Sequence, residues 1–228
     1  MFKLYTINNS KMLIVILILP MLILGFSLSS FAESSISQSE EKFELTKSNV
    51  EEFVSLLEIQ DPKAVATYKS LAINNPETVK EAVAGIVLTK ENPRYVVEFE
   101  DGSSIVIEYG TVVSKEDVGV RGINVLDYGM YQHRVYGIEV ARYTVWTEYI
   151  SDNMNQGPCY IIDLWDEGSA VWPVKVNTKG ARIVSDANNP IRTRGNAEIE
   201  AYGTNISVTL NFYGYAYFLD NYSTVIVN

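Results

Sequence analysis

From Asn205 to Leu219 the chain alternates. Ile206, Val208, Leu210 and Phe212 are separated by Ser207, Thr209, Asn211 and Tyr213. Successive side chains of a strand point to opposite faces, so this pattern predicts a half-buried β-strand. Carried past Gly214, the register keeps Ala216 and Phe218 inside and aligns Tyr213, Tyr215 and Tyr217 outside. The inner face then requires a second sheet or a helix to cover it.

Other apolar patterns supply that cover. Val50, Phe53, Val54 and Leu57 recur at helical spacing behind a possible capping box, Ser48-x-x-Glu51. Asp61-Pro62 and Asn75-Pro76 each offer an N-cap with proline at the first helical position. The first precedes Val65, Tyr68, Leu71 and Ala72, and the second Val79, Ala82, Val83 and Ile86. Tyr95–Tyr109 predicts a β-hairpin in which Phe99 faces Ile105, Val97 faces Ile107 and Tyr95 faces Tyr109. Residues 110–135 read as two short strands. Beyond them the expected strands are Tyr136–Ile150, Cys159–Trp165, Ala170–Val176, Ala181–Ser185, Glu198–Tyr202, Ile206–Leu219 and Ser223–Val227. A hairpin through Gly203-Thr204-Asn205 should bury Ile199 and Ala201 beside Ile206 and Val208.

The fold class that follows is α+β. A small N-terminal helical subdomain of three short helices leads into a mainly antiparallel β-sandwich. Residues 48–88 form the helical part, 89–135 the hairpin and connecting strands, and 136–228 the sandwich. Residues 33–47 are polar and aperiodic, as in a flexible linker. Residues 1–32 carry Lys3 and Lys11, the apolar run Met12–Phe26, and small residues ending at Ala32. That order is the layout of a cleavable signal peptide, with no stable membrane insertion after its removal. The expected location is secreted or extracellular, with possible association to the cell wall.

The net charge of −10 disfavours nucleic acid, which requires a basic face. Cys159 is the sole cysteine, so no internal disulfide can form, and its apolar sequel favours burial. His133 is the sole histidine, in a setting read as a loop or strand edge. Histidine-based zinc sites are thereby excluded. Gln156-Gly157-Pro158-Cys159 resembles the segment before the nucleophile of papain-like cysteine proteases. Those place their histidine downstream, whereas here it lies upstream.

Carboxylates and tyrosines carry the remaining chemistry. Asp163, Asp166 and Glu167 bracket Trp165, and Asp152 lies one loop earlier. Such oxygens, with Asn153 and Asn155, suit calcium, or a solvated turn. A carboxylate pair, Asp163 with Asp166, could alternatively hydrolyse a glycan. The row Tyr213, Tyr215, Tyr217, extended by Tyr202 on the neighbouring strand, would form an aromatic platform for sugar rings or peptide. Gly203-x-Asn205-Ile206-Ser207, followed by Phe212-Tyr213, resembles the C-terminal strand pair of small secreted lactococcin-type bacteriocins. Ala197 stands where those peptides carry tryptophan. The resemblance implies a secreted antagonist. The leading expectation is a non-catalytic protein of the envelope or extracellular space that binds a cell-wall glycan or an extracellular protein, with no required cofactor.

Overall fold

In a computed structural model that describes residues 42–113, 123–151, 160–185, 190–214 and 221–227, three short helices precede ten strands in two antiparallel sheets. Helix α1 (Val50–Glu58) buries Val50, Phe53 and Leu57, the stripe its spacing predicts. The expected capping box does not form. Asn49 is the N-cap, and its side chain turns upstream to accept from Thr46 N and donate to Glu44 O. Ser48 meets the Thr46 hydroxyl at 3.0 Å instead.

Helices α2 (Pro62–Ser70) and α3 (Pro76–Val83) begin as their Asp-Pro and Asn-Pro pairs predict. Asp61 Oδ1 accepts from Lys63 N and Ala64 N, and Asn75 Oδ1 accepts from Glu77 N and Thr78 N. Each cap satisfies amides that no preceding helical carbonyl can reach. Helix α2 stops before Leu71, and a 3-10 turn over Ala72–Asn74 follows.

One sheet runs in the order β1 (Val87–Thr89), β10 (Tyr222–Val227), β9 (Thr204–Gly214), β8 (Ile191–Ala201), β7 (Lys175–Ser185). The other runs β2 (Arg94–Glu98), β3 (Ser103–Val113), β4 (Ile123–Val135), β5 (Ile138–Ser151), β6 (Tyr160–Ala170). Strands β2 to β6 and β7 to β10 are thus two meanders, and β1 joins the far end of the second, with Val87 opposite Thr224. Two expectations are corrected. Residues 123–135 form one long strand rather than a short piece. Residues 171–174 form the turn between β6 and β7, with a cis Trp172-Pro173 bond, where a strand was expected.

The β2–β3 register also differs from expectation. Val97 faces Ile105 and Tyr95 faces Ile107. A shift of two residues leaves every side chain on its expected face, so hydrophobic alternation cannot tell the two apart. The turn decides it. Phe99 N donates to Ser103 O, Gly102 N donates to Phe99 O, and the Asp101 carboxylate accepts from the Ser103 amide and hydroxyl and from Ala72 N.

The core fills the space between the sheets. Ile206, Val208, Leu210 and Phe212 of β9 are buried as predicted, and Ile199 pairs with Ile206 across the β8–β9 hairpin. The helices close one end of this sandwich. There Tyr68 of α2 packs edge-on against Tyr202 in the β8–β9 turn, and the Tyr202 hydroxyl donates to Leu57 O at 3.4 Å. The strand ends that border residues 114–122, 152–159, 186–189 and 215–220 all lie at the opposite end. Among the described residues no helix is long and apolar enough to cross a membrane.

Candidate functional site

On the outer face of the second sheet, pairing aligns Gly110, Tyr128, Trp146 and Trp165 across β3, β4, β5 and β6. Cross-strand partners on one face lie close enough for rings to touch. Tyr128 and Trp146 have centroids 5.0 Å apart, and Trp146 and Trp165 stack at 5.9 Å with 12° between planes. Gly110 is what lets the first ring lie down. A Cβ there would sit 2.3 Å from the Tyr128 ring. The row ends at Trp165, which is 37% exposed.

Carboxylates flank both sides of this row. Tyr128 Oη donates to Glu108 at 2.9 Å, and Trp146 Nε1 donates to Glu167 Oε1 at 3.1 Å. Glu148 and Asp163 face each other across β5 and β6 on the other side. Asn124 Nδ2 donates to Glu148 Oε1, and Leu164 N donates to Asp163 Oδ1. Among the described residues, Glu148, Asp163 and Glu167 each keep one oxygen without a hydrogen-bond donor. The result is an aromatic strip bordered by fixed acceptors.

The acidic residues singled out in the sequence are divided between faces. Asp163 and Glu167 lie outside, beside Trp165. Asp166 lies on the inner face, where its Oδ2 accepts from Tyr143 Oη at 3.1 Å. Asp163 and Asp166 therefore do not converge on a common bond. Asp152, Asn153, Asn155 and Cys159 fall outside the described residues. Among the described residues no three histidine, cysteine or carboxylate side chains converge as metal ligands.

The tyrosine row is also divided. Tyr202 sits in the turn at the helix-capped end, while Tyr213 lies near the opposite end of β9. Tyr213 stacks on Tyr222 of β10 at 4.4 Å, and the Arg192 guanidinium of β8 lies 5.5 Å from its centroid. Since β9 runs between β8 and β10, these neighbours cover both faces of Tyr213. It offers an edge to solvent. Tyr215 and Tyr217 lie outside the described residues.

A buried polar cluster, unforeseen in the sequence, occupies the interior toward the end opposite the helices. Asp127 is 1% exposed and accepts from Tyr149 Oη and Asn221 Nδ2, both at 2.9 Å, and from Tyr109 Oη at 3.2 Å. Desolvation raises its carboxyl above the ordinary range, and hydrogen bonds from Thr111, Tyr149, Tyr109 and Asn221 pull it part of the way back. Phe212 packs beside Tyr109 and Tyr149. The cluster gathers residues from β3, β4 and β5 with the residue before β10, and it ties one sheet to the other. His133, expected at a loop or edge, is instead fully buried in β4, with Nε2 at 2.9 Å from Tyr131 Oη. Burial lowers its pKa to about 3, so it stays neutral.

No protein-family model, curated protein sequence or solved structure matches this chain. The segment that resembles bacteriocin strand pairs forms the Gly203 turn and β9.

Proposed function

We propose that the protein is a secreted, non-catalytic binding module that holds a glycan along the Tyr128–Trp146–Trp165 row. The observation that carries this reading is the continuous aromatic strip on an outer sheet face, laid over Gly110 and bordered by carboxylates. Aromatic rings pack on the C–H faces of pyranose rings, and a few placed acceptors fix orientation by taking hydroxyl protons. Glu148, Asp163 and Glu167 supply such acceptors. Asp163 thus serves binding, apart from Asp166, which the Tyr143 hydroxyl occupies. The amino-terminal basic, apolar and small-residue pattern supports export to where such polymers occur.

Sedimentation of the protein with insoluble cellulose, chitin and purified cell-wall sacculi tests the reading. Retention on at least one polymer is expected, falling at least tenfold in Trp146→Ala and Trp165→Ala with an unchanged circular dichroism spectrum. Retention on none, or equal retention by both variants, overturns it.

A further inference from the structure

The same outer face holds a cleft of about 560 Å³ toward its helix-capped end. That volume lies in the range of small-molecule sites, roughly 300–1,000 Å³. Its walls come from β2, β3, the end of β4 and the residues before α1. Val96, Val106 and Phe99 make them partly apolar, and Lys47, Arg94 and Arg134 bring positive charge. Arg94 shares Glu108 at 3.8 Å, and Glu98 is the acidic side chain in the lining. Arg134 gives its Nε to Gln132 Oε1 at 3.0 Å, and among the described residues neither it nor Lys47 makes an ion pair. A chain with net charge −10 therefore places Lys47 and Arg134, neither in an ion pair among the described residues, opposite the lone acid Glu98 of the described lining in one concave place. Such a cleft focuses the local field on an anion.

The backbone beside the cleft points the same way. Tyr136 and Gly137 both have positive φ, 46° and 86°, in the two-residue turn between β4 and β5. Asparagine, aspartate or glycine ordinarily opens such a turn, and tyrosine there is strained. Tyr202 bears the same strain in the β8–β9 turn, where its ring packs under the helices. The Tyr136 ring instead lies over Gly102, where a Cβ would come within 2.2 Å of it, and forms a wall of the cleft.

We propose that this cleft is the anion subsite of the glycan-binding face and takes a sugar residue bearing a carboxylate or phosphate. The inference rests on the glycan reading of the aromatic row. Tyr128 and Arg134 are six positions apart on β4, about 20 Å of strand, which an oligosaccharide of a few residues spans. The distribution of charge also sets the direction. Glu108, Glu148, Asp163 and Glu167 around the row repel an acidic sugar, whereas Lys47 and Arg134 attract it. Neutral rings rest on the aromatics and the charged residue enters the cleft.

Nuclear magnetic resonance of the ¹⁵N-labelled protein, titrated with glucose, glucuronate and glucose 6-phosphate, tests this directly. The amides of Gly102, Ser104 and Gly137 are expected to shift with glucuronate or glucose 6-phosphate and not with glucose. The stronger of the two acids identifies the charged group. Arg134→Gln and Lys47→Gln should each weaken that response at least tenfold, as should raising the salt from 20 to 200 mM. Movement of the Trp146 and Trp165 indole signals without the cleft amides overturns the subsite and leaves the glycan reading standing. Cleft shifts with the acids, while the indoles stay unmoved by glucose as well, uphold the anion site and remove the aromatic row from it. Silence at both places, or unchanged binding in both charge variants, overturns the inference.

Discussion

Asp127 and His133 sit on one strand, both inside the sandwich, and their ionisation acts oppositely on stability. The Asp127 carboxylate accepts three hydrogen bonds from buried donors. Asp127→Ala would remove the buried acceptor that the Tyr109 and Tyr149 hydroxyls and the Asn221 amide share, at a cost of about 3 kcal/mol. Urea unfolding at pH 7 measures it, and a loss under about 1 kcal/mol would show that water replaces the carboxylate. His133 behaves differently. Its folded pKa is held near 3, whereas the unfolded chain protonates near 6.5. The unfolded state binds the extra proton between those values, so the contribution is intact above about pH 6.5. It declines toward pH 3 by up to about 1.4 kcal/mol per pH unit. The stability difference between wild type and His133→Phe should therefore shift against the wild type from pH 7 to pH 4. A pH-independent difference would mean that the imidazole gains a proton in place. Asp127, with its raised value, has the reverse sign: its protonated form favours the fold at low pH, and that contribution is lost as pH rises through the folded value.

At the scale of elements, the helix starts show why similar sequence signals differ in worth. Asp61 and Asn75 each precede a proline, which presets the backbone and lets the side chain reach two free amides. Ser48 lacks that constraint and bonds to Thr46. Asp61→Ala and Asn75→Ala should each cost about 1 kcal/mol, whereas Ser48→Ala should stay within about 0.5 kcal/mol. Urea midpoints of the three variants decide it, and equal losses would restore the capping box. The strands divide in the same manner. Alternation located β9 and its buried face, because burial on one side dictates period two. It could not fix the β2–β3 pairing, because a two-residue slip preserves every face. Asp101, bonded both to its own turn and to Ala72, made that choice.

For the whole molecule, the distance between the sheets is the quantity on which the buried cluster depends. Gly195 of β8 faces Val145 and Tyr143 of β5 across the core. An added Cβ would meet Val145 Cγ2 at 2.2 Å and Tyr143 Oη at 2.3 Å. Gly195→Ala should force the layers apart at a cost of about 2 kcal/mol. For a chain of this size the melting temperature should fall by roughly 4–8 °C. An unchanged melting temperature would show that the layers slide rather than separate.

The sequence by itself determined the helix origins at Asp61-Pro62 and Asn75-Pro76, the β9 alternation, and the order of helices before sheets. These depend on contacts within a few residues, which the local order of side chains encodes. The tertiary structure alone decided the candidate sites. Tyr128, Trp146 and Trp165 become a row only when β4, β5 and β6 pair in one register. Asp127 meets Asn221 only when the second meander closes over the first. The sequence drew attention to Tyr213 and Asp163 through their near neighbours in the chain. The row and the cluster join residues from separate strands, and pairing geometry, which no short pattern contains, brings them together.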